Sequence, residues 1–587
     1  YFINYQYDQS IFDQIINFYD SLIYHLTKLL KMNNSNQEKN SKLFFLLNKI
    51  KKQGYSNSIN ELINKCPEMG YRFDKKQGSI FLRTINGNNT KCLVINSDLG
   101  NIPEFLSAIF EKVISIDTEE KILIQIERFK DKKIKNIQFE IFESNNISNL
   151  EKDFDLIIVN DIKIKNYNSK NKIEEYLNNI KQLLNNTGCL CVAIQNKSGI
   201  KIINEEVTNN TYLDNFNGYN LLLNSLGLHV DSYWALPSHN QANHSGKISD
   251  DVSLKWFFHN FDKKFFVDKK FKIIGKFLKI LNKNMRKLLL IKFCPSFLFY
   301  CYNDKSYNTL EYKIRRDTGY ENIIQHVRPS KTLYFLLNND GNPEKVVTCN
   351  HIKYDLTEKI FEINRIFPRM KITDEKMTIE NWLDGVPLDK SNHHDLKLVM
   401  NWLKTFQNKT KNEFLDMNDI EKEIEHVKNE LDLIPEMSEI PYKIWLDDYK
   451  HEFMGKTIQK TAVHGDFQVR NILIDHQNLQ VNIIDWDWRY EEKGNPIYDF
   501  IWLATNIMML SKNFEKEFEY GDSQSNEIIK LIKIIENTMK DHLQVNFDFI
   551  KLQKFMILRF LTIRIKQGDN GHLLYIDILK ILSKNTN

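Results

Sequence analysis

The chain has 587 residues, and at about 100–200 residues per domain this length predicts several domains rather than one. Its 42% hydrophobic and 27% charged residues are typical of a globular protein and exclude global disorder. The 80 Lys and Arg residues nearly balance the 76 Asp and Glu residues, and the net charge of +4 does not indicate nucleic acid as a partner.

Seven cysteines are spread along the chain without a CxxC pair. This spacing excludes a zinc ribbon and a disulfide framework, and it predicts reduced, buried thiols in a cytoplasmic protein. No signal peptide is visible, but the chain begins at Tyr1 rather than Met, which leaves a preceding targeting segment open. The most apolar run, residues 288–302, is interrupted by Lys292 and Pro295 and is shorter than the ~20 residues of a spanning helix.

Residues 1–75 predict a helical N-terminal segment, because apolar residues recur there at helical spacing without a chemical motif. Residues 76–303 instead alternate short β-rich runs with helical stretches. The predicted strands are 92–95, 113–116, 154–159 and 189–194. Such an alternation indicates βαβ units and a parallel sheet.

A tight turn containing Gly100 follows the first predicted strand and opens a helix, and Asp117 ends the second strand. In a doubly wound sheet this turn is where nucleotide-like ligands bind, and an acid at the end of the second strand can accept both ribose hydroxyls. Glu143 and Asn160, after the third and fourth strands, are weaker candidates. In the methyltransferase family that this order of elements resembles, they would lie on the adenine and methyl-acceptor sides. The alternative for both is an ordinary loop residue.

This order of elements resembles class I S-adenosylmethionine-dependent methyltransferases. The resemblance implies a Rossmann-like fold and S-adenosylmethionine as co-substrate, bound by Gly100, Asp117 and Glu143. The sequence departs from the family at Asn96 and Asp98, where glycines usually let the backbone approach the cofactor. A Rossmann-like domain kept as a scaffold is therefore the alternative. The Gly-x-Gly-x-x-Gly fingerprint is absent, which argues against a dinucleotide-binding oxidoreductase.

Residues 228–234 and 296–300 fit the closing antiparallel strands of such a domain, and a basic insertion, residues 237–293, separates them. Phenylalanines and lysines recur in this insertion at near-helical spacing, which predicts a lid helix with a solvated basic face. The alternative is a surface for an anionic partner, with peripheral membrane contact. His239 and His244 are predicted to be solvated loop residues, because no cysteine or acid cluster accompanies them.

The strongest motif lies in the C-terminal part of the chain. It comprises His464-Gly465-Asp466, then Asn471, then Ile484-Asp485-Trp486-Asp487 after two apolar strands. Phosphoryl transfer from a nucleotide needs a base at the attacking hydroxyl and metal ions at the phosphates. Asp466 suits the base, and a β-hairpin would bring Asn471 and Asp485 together as oxygen ligands for Mg²⁺.

This segment resembles the aminoglycoside phosphotransferase and choline kinase family of small-molecule kinases, whose α+β fold is protein-kinase-like. The resemblance implies that Asp466 is the catalytic base, that Asn471 and Asp485 are the metal ligands, and that His464 braces the catalytic loop. Asp499 matches a structural aspartate of the family. ATP and Mg²⁺ follow as co-substrate and cofactor, and an alcohol group follows as the acceptor.

The first part of this kinase-like region matches the family less well. Residues 378–385 resemble the hinge strand that reads adenine, which makes Glu380 and Trp382 predicted nucleotide-binding residues. Glu362 fits the helix glutamate of the family and is the third predicted nucleotide-binding residue.

The lysine partner of this glutamate is missing from its expected position, which holds Thr348. Lys345 or Lys353 could replace it only if the register of the strand is shifted. Such a loss would weaken nucleotide positioning without removing the base or the metal ligands.

The predicted fold is multidomain: a helical N-terminal segment (1–75), an α/β Rossmann-like methyltransferase domain (76–303) and an α+β protein-kinase-like domain (304–587). The predicted function is a bifunctional enzyme, an ATP-dependent phosphotransferase to a small-molecule or glycan hydroxyl fused to a methyltransferase. A glycan is a candidate acceptor because the domain order is similar to that of bifunctional kinase–methyltransferases that cap bacterial surface polysaccharides. The alternatives are a kinase with a non-catalytic Rossmann-like module and a scaffold of two degenerate enzyme folds.

Overall fold

The structure is a computed structural model in which the chain divides into two compact units, Tyr1–Ile352 and Lys353–Asn587. The described residues are 36–65, 75–85, 89–141, 147, 150–162, 170–196, 216–236, 243–256, 283–303, 309–328, 331–351, 370–374, 377–389, 392–486, 491–510, 527–566 and 572–584. Within these ranges no helix combines the length and the apolar character that crossing a membrane requires.

The first unit is mixed α/β. Its helices are α1 (Asn36–Gln53), α2 (Tyr55–Lys65), α3 (Asn101–Ser107), α4 (Glu119–Asp131), α5 (Lys170–Lys181), α6 (Phe216–Ser225), α7 (Lys283–Phe293) and α8 (Leu310–Thr318), with a 3-10 helix at Lys75–Thr84. Its strands are β1 (Lys91–Ile95), β2 (Lys112–Asp117), β3 (Ile137–Ile141), β4 (Phe154–Asn160), β5 (Leu184–Gln195), β6 (His229–Leu236), β7 (His244–Lys247), β8 (Ser296–Tyr302), β9 (Asn322–Val327), β10 (Lys331–Leu337) and β11 (Pro343–Asn350).

One sheet joins these strands in the order β11-β10-β9-β7-β6-β8-β5-β4-β1-β2-β3. The five strands β3, β2, β1, β4 and β5 are parallel neighbours, and β8 lies antiparallel between β5 and β6. The predicted strands and the predicted closing hairpin are therefore confirmed. All seven residues of β4 are buried, as expected for a strand covered on both faces. The strand order reverses between β1 and β4, and such a switch point is where this architecture binds ligands.

The short strand β7 connects the parallel part of the sheet to the strands that follow. It pairs antiparallel with β6 on one side and with β9 on the other, where Ser245 stands opposite Gln325. Gly246 permits this packing, because a Cβ there would lie 2.7 Å from the Trp234 ring. The prediction that His244 is a solvated loop residue is wrong, since this residue lies in β7 and is 3% exposed. Its partner strands on both sides remove it from solvent.

A buried ion pair also connects the two parts of the first unit. Arg83 Nε of the 3-10 helix lies 2.9 Å from Glu311 Oε2 of α8, and the two side chains are 1% and 4% exposed. Arg315 donates to the same carboxylate, with Nη2 at 2.6 Å from Oε1. Burial raises the pKa of Glu311, but the two arginines outweigh it and hold this pKa below its ordinary value. The ionised Glu311 carboxylate therefore links α8 to the 3-10 helix, which lies more than 200 residues earlier in the sequence.

The helical N-terminal segment packs beside the turn that follows β1. Leu46 and Ile50 of α1 and Tyr55 of α2 share a buried cluster with Leu99 and with Ile124 of α4. Burial raises the pKa of Tyr55 to about 12. The six cysteines among the described residues are buried and form no disulfide, as predicted, and burial raises the pKa of the Cys92 and Cys189 thiols.

The second unit is mostly helical. Its helices are α9 (His393–Lys409), α10 (Met417–Leu431), α11 (Tyr442–Phe453), α12 (Ile497–Met509), α13 (Glu527–Leu543), α14 (Phe549–Lys566) and α15 (His572–Lys584), with 3-10 helices at Pro435–Glu439 and Val469–Asn471. Its strands are β12 (Met370–Asp374), β13 (Met377–Asn381), β14 (Val386–Pro387), β15 (Phe414–Leu415), β16 (Ile458–Gln459), β17 (Thr461–Val463), β18 (Ile472–Asp475), β19 (Gln480–Ile483) and β20 (Glu491–Gly494).

The strands of the second unit form small antiparallel groups around a helical core. β12 pairs with β13, β15 with β16 and β17 with β20, while β18 lies between β14 and β19. Residues 497–508 of α12 are all buried, so this helix is surrounded on every side. The predicted arrangement of loop, strand, turn and strand after His464 is confirmed.

The division into units falls between Ile352 and Lys353, whereas the sequence analysis places a domain boundary at 303/304. The difference arises because β9, β10 and β11 extend the sheet of the first unit. Glu143, Glu362 and the phenylalanine- and lysine-rich part of the basic insertion lie outside the described residues.

Candidate functional sites

The hairpin of β18 and β19 positions the two predicted metal ligands. Ile472 stands opposite Ile483, and the Ile484 N–H donates to the Asn471 carbonyl at 2.9 Å. Asn471 therefore precedes one strand at the end of the hairpin where Asp485 follows the other. The structure brings these two residues to the same end of the hairpin, as the sequence predicts.

Asp485 adopts a left-handed backbone with φ +68°. Residues other than glycine rarely adopt this conformation, and such strain concentrates at functional sites. The residues on either side hold it in place: the Ile484 N–H is bonded as above, and Trp486 Nε1 donates to the Ile483 carbonyl at 3.0 Å. The hairpin thus fixes the direction of the chain at the predicted metal ligand.

Three N–H donors hold the carboxylate of Asp466, the predicted base. Gln468 Nε2 donates to Oδ2 at 2.9 Å, Asn471 Nδ2 donates to Oδ2 at 3.2 Å, and Trp502 Nε1 donates to Oδ1 at 3.1 Å. Asp466 is 2% exposed, so the orientation of its carboxylate is set by these donors. Hydrogen bonds to an ionised acceptor are shorter and stronger than those between neutral groups, so three of them hold a carboxylate firmly.

The side chain of Asn471, a predicted metal ligand, is bonded to Asp466, the predicted base. Its Nδ2 donates to the Asp466 carbonyl at 3.0 Å as well as to the carboxylate. With the nitrogen directed at Asp466, the amide oxygen is the atom that can ligate a cation. Carbonyl and carboxylate oxygens are the ligands that Mg²⁺ prefers, so Asn471 and Asp485 fit this ion.

The described ranges contain no group of three or more His, Cys, Asp or Glu side chains arranged for a metal.

His464 is fully buried and braces the loop from inside. The backbone N–H of Asp466 donates to Nδ1 at 3.2 Å, so Nε2 carries the proton that reaches the Ile484 carbonyl at 3.0 Å. The same ring packs edge-on against Trp486, with centroids 4.5 Å apart. His464 thus links the segment of the base to the segment of Asp485, the role that the sequence predicts.

Asp499, at the start of α12, accepts hydrogen bonds from the backbone N–H groups of His464 at 2.9 Å and Gly465 at 3.1 Å. Gly465 has φ +76°, a conformation that favours glycine. Burial raises the pKa of Asp499 to about 7, although these two N–H groups act in the opposite direction.

Two further residues of α12 contact the catalytic loop and were missed by the sequence analysis. Trp502 donates to Asp466, and Asn506 accepts from the Val469 N–H at 3.3 Å. With Asp499 they occupy positions i, i+3 and i+7, which lie on one face of a helix. Polar and aromatic residues at this spacing inside a buried, apolar helix are the pattern that would have indicated them. Gln468, which the sequence analysis does not single out, is a direct donor to the carboxylate of Asp466.

The predicted hinge comprises β13 and the residues after it, which are hydrogen-bonded to the hairpin of β18 and β19. Glu380 is partly buried in β13, and Trp382, just after the strand, is 37% exposed. The Asp384 carbonyl accepts from Asn482 Nδ2 of β19 at 3.1 Å, and Leu388 N–H donates to the Ile472 carbonyl. The segment that follows the predicted adenine-reading strand is therefore tied to the hairpin of the metal ligands.

The predicted lysine strand is β11 of the first unit. Thr348 is buried there, and Lys345, three residues earlier, points to the opposite face of the strand. The Lys345 ammonium lies 5.7 Å from the centroid of the Tyr320 ring. In the register of β11, Lys345 therefore does not replace the lysine that is missing at Thr348.

The second candidate site is the turn after β1, at the switch point of the large sheet. Asn96, Asp98 and Gly100 have φ of +58°, +51° and +92°. Asn96 and Asp98 thus keep the backbone conformation that glycine would adopt, and Asn and Asp tolerate it best among other residues. The departure from the methyltransferase pattern lies in the side chains and not in the course of the backbone.

Gly100 is required by packing against α4. A Cβ there would lie 2.9 Å from Phe129 and 3.1 Å from Gln125. Gln125 Nε2 also donates to the Asp98 carbonyl at 2.8 Å, which fixes the turn from below. The side of Gly100 where a Cβ would stand is covered by α4, so its role in holding a cofactor remains a prediction.

Asp117 ends β2 at this turn, 2% exposed. Its Oδ1 accepts from the Thr118 N–H at 2.8 Å, and its Oδ2 accepts from the Asp98 N–H at 2.7 Å. The Lys121 ammonium lies 3.0 Å from Oδ1 and 3.3 Å from Oδ2. Burial raises the pKa of Asp117 above its ordinary value, and Lys121 opposes this shift. The predicted ribose-binding acid is in place, but an ammonium group faces it.

Asn160, at the end of β4, lies across the switch point from this turn. Its Nδ2 donates to the Asn96 carbonyl at 3.1 Å, while its buried Oδ1 has no hydrogen-bond partner among the described residues. Asn96 Nδ2 in turn donates to the Asp161 carbonyl at 2.5 Å. β1 and β4 thus present a connected polar edge where this fold binds ligands.

No protein-family model matches the chain, and no curated protein matches it in sequence. Among solved structures, the chain is similar to a Haemonchus contortus phosphoethanolamine N-methyltransferase 2 in complex with S-adenosyl-L-methionine, at 11% identity and a TM-score of 0.25. That match covers 39% of this chain and 52% of the nematode enzyme. A SAM-dependent methyltransferase from Aquifex aeolicus matches at 18% identity and a TM-score of 0.22, over 29% of this chain and 89% of the other.

The chain is also similar to an ethanolamine kinase from Plasmodium vivax, at 15% identity and a TM-score of 0.32. The match covers 43% of this chain and 80% of the kinase. The solved structures to which the chain is similar thus include methyltransferases and a kinase, as the sequence predicts. The function of this chain has to be argued from the geometry of its own residues.

Proposed function

We propose that the second unit catalyses ATP-dependent phosphoryl transfer to an alcohol group of a small molecule or glycan. Asp466 accepts the proton of the attacking hydroxyl, and Asn471 and Asp485 hold the Mg²⁺ that neutralises charge on the phosphates. The observation that carries the proposal is the hairpin that brings Asn471 and Asp485 together beside a buried carboxylate held by three N–H donors. Positioning and electrostatic stabilisation of this kind are most of what such a reaction needs from a protein.

The nucleotide would lie along the segment that follows β13. Glu380 and Trp382 are proposed to contact it there, together with Glu362. The support is the hydrogen bond from Asn482 to the Asp384 carbonyl, which holds this segment against the metal-binding hairpin. Binding of ATP and Mg²⁺ is therefore expected to depend on the same hairpin.

For the first unit, we propose S-adenosylmethionine binding at the turn of Asn96–Gly100 and a methyltransferase reaction. The left-handed backbone at Asn96 and Asp98 favours this, because it preserves the course of a glycine-rich cofactor turn. Asp117 would accept the ribose hydroxyls, and Gly100 and Glu143 complete the proposed set. The cofactor would supply the methyl group, and the residues of the chain would orient it.

A kinase with a non-catalytic Rossmann-like module is the second candidate. One observation favours it: the Lys121 ammonium and two backbone N–H groups already occupy both oxygens of Asp117. In that case the first unit would bind a substrate or a partner. Titration of the full chain with S-adenosylmethionine distinguishes the two candidates.

The kinase proposal is tested by Asp466→Asn. We expect ADP release from Mg²⁺-ATP, with a panel of aminoglycosides, choline, ethanolamine and sugars as acceptors, to fall about 10²–10⁴-fold, the usual contribution of a positioned base. Asparagine fills the same space, so the circular dichroism spectrum is expected to stay close to that of the original chain. The melting temperature is expected to fall, because the amide nitrogen cannot accept from the N–H donors that now meet the carboxylate.

Asp475→Asn is the matched control, since Asp475 lies at the other end of β18 and contacts only the adjacent turn. This variant is expected to keep full activity. A decrease of only a few-fold in Asp466→Asn would contradict the assignment of Asp466 as the base.

A further inference from the structure

The ammonium of Lys121 lies on the carboxylate proposed to bind a ribose. Its Nζ is 3.0 Å from Oδ1 and 3.3 Å from Oδ2 of Asp117, and 3.7 Å from Oδ1 of Asp98. Each oxygen of Asp117 also accepts one backbone N–H, from Thr118 or from Asp98. A carboxylate offers about four acceptor sites, two on each oxygen. The backbone N–H groups use one site on each oxygen, and the Lys121 ammonium lies near the remaining site of both.

A ribose diol would need these same two oxygens. Asp117 is 2% exposed, so a ligand can reach its oxygens only after a covering group moves away, and the Lys121 ammonium is a group that contacts both oxygens. The side chain of Lys121 is 24% exposed, which gives the ammonium a direct route to solvent. The two arrangements, lysine on the acid and ribose on the acid, exclude each other.

Helix stability does not explain a lysine at this position. Lys121 stands in the first turn of α4, which begins at Glu119, and a cation near a helix N-terminus opposes the helix dipole. The ion pair with Asp117, four residues earlier, offsets this cost. Lys121 lies in α4, but its side chain makes its ionic contacts with Asp117 and with Asp98 of the turn after β1.

We propose that Lys121 is a latch on the cofactor site, so that S-adenosylmethionine binds only in competition with the Lys121–Asp117 ion pair. The inference rests on the proposed binding of S-adenosylmethionine at this turn, and it makes Lys121 a residue that lowers affinity. The apparent dissociation constant is the intrinsic one divided by the fraction of open molecules. Removing the latch is therefore expected to raise affinity, the reverse of what the loss of a binding residue does.

The test is calorimetric titration of the full chain with S-adenosylmethionine and with S-adenosylhomocysteine, at about pH 8 so that carboxylates are ionised. If about one molecule in ten is open, Lys121→Met is expected to bind about tenfold more tightly than the original chain. The matched control is Lys130→Met, which removes an exposed lysine from the same helix and is expected to change nothing.

Ionic strength provides a second measurement, because salt screens a partly exposed ion pair. Raising the salt concentration is expected to tighten cofactor binding by the original chain and to leave Lys121→Met unaffected. Asp98→Asn removes the second carboxylate near the ammonium and is expected to tighten binding less than Lys121→Met does.

The outcomes separate the latch from the cofactor proposal. Equal affinity of the original chain and Lys121→Met would overturn the latch and leave cofactor binding in place. Weaker binding by Lys121→Met would make the lysine a cofactor ligand and would also overturn the latch. No binding by any variant, including Lys121→Met, would overturn the proposed methyl-donor site itself, and with it the latch.

Discussion

Asp485 combines a proposed role as a metal ligand with an unusual backbone conformation. Its φ of +68° is a conformation in which alanine is strained and glycine is not, and aspartate tolerates it better than most residues. The hydrogen bonds of Ile484 and Trp486 hold the chain in this conformation. The side chain and the backbone of Asp485 can therefore be tested separately.

We predict that Asp485→Ala and Asp485→Gly both abolish the dependence of ATP binding on Mg²⁺. Both variants lack the carboxylate ligand, but only alanine strains the backbone, so glycine is expected to be the more stable of the two. Calorimetric titration with ATP, with Mg²⁺ and with a chelator, measures the first effect, and thermal unfolding measures the second. Retention of the Mg²⁺ dependence by Asp485→Gly would contradict the assignment of the ligand.

Asp499 gives a prediction about pH. Burial raises its pKa to about 7 in the folded chain, against an ordinary value of 3.8. A folded pKa above the unfolded value contributes stability that is complete below the unfolded pKa and is lost as pH rises through the folded pKa. The Asp499 contribution is therefore expected to decrease between about pH 4 and pH 7.

Comparison with Asp499→Asn isolates this contribution, because asparagine does not titrate. The difference in melting temperature between the original chain and the variant is expected to change in this pH range, to the disadvantage of the original chain as pH rises. A difference that stays constant from about pH 4 to pH 8 would mean that the folded pKa of Asp499 is not raised.

Helix α12 is the element that supports the proposed active site. It is buried on all sides, and one of its faces presents Asp499, Trp502 and Asn506 to the catalytic loop. Trp502 also stacks on Phe560 of α14, with ring centroids 3.4 Å apart. The helix thus holds the loop by hydrogen bonds and is itself held by packing.

Trp502→Phe is predicted to lower kcat about tenfold and to leave the KM for ATP unchanged. The variant keeps an aromatic ring against Phe560 but removes the N–H that orients Asp466, and a hydrogen bond to a charged group contributes roughly 1.5–3 kcal/mol. Steady-state kinetics measure the effect.

Trp445→Phe is the control for Trp502→Phe, because Trp445 is equally buried in the same unit without contacting the loop. If both variants lose activity and stability to the same extent, Trp502 has only a packing role.

The sequence was sufficient for the elements that carry a hydrophobic pattern or a motif. The strands of the parallel sheet and the hairpin that ends at Asp485 lie where their apolar runs predict. β7 could not be predicted in this way, because His-Ser-Gly-Lys has neither an apolar run nor an alternation. Its conformation depends on the two strands beside it, which are distant in sequence.

The proposed sites divide along the same line. Asp466, Asn471 and Asp485 are indicated by spacing within a short segment. Trp502 and Lys121 make contacts that only the folded chain creates. The spacing of Trp502 from Asp499 and Asn506 indicates a shared helix face but not what that face contacts, and a lysine in a helical first turn has no distinctive pattern. The left-handed backbone of Asn96 and Asp98 is likewise a property of the turn and not of the residue types.

At the scale of the whole molecule, the first unit extends past the boundary that the sequence suggests. The strands β9, β10 and β11 continue its sheet through β7, and the Arg83–Glu311 ion pair lies between the 3-10 helix and α8. A fragment that ends at residue 303 would expose an edge of the sheet and leave Arg83 buried without its partner.

We predict that residues 1–303 do not form a stable protein and that residues 1–352 do. Leaving one member of a buried ion pair without its partner typically costs about 3–5 kcal/mol, a large part of the stability of a domain. Urea unfolding followed by circular dichroism is the measurement, with residues 1–352 as the matched control. A cooperative transition of equal midpoint in both fragments would show that the later strands are dispensable.

The position of β7 also bears on how such a chain could have arisen. A strand of four residues is hydrogen-bonded on both sides, to a strand of the methyltransferase-like order and to a strand that the sequence places with the kinase. Recombination at the predicted boundary, residue 303, would separate β7 from β9, to which it is hydrogen-bonded. An exchange of sequence at residue 303 would therefore break this sheet, whereas an exchange at residue 352 would keep β7 with both of its partners.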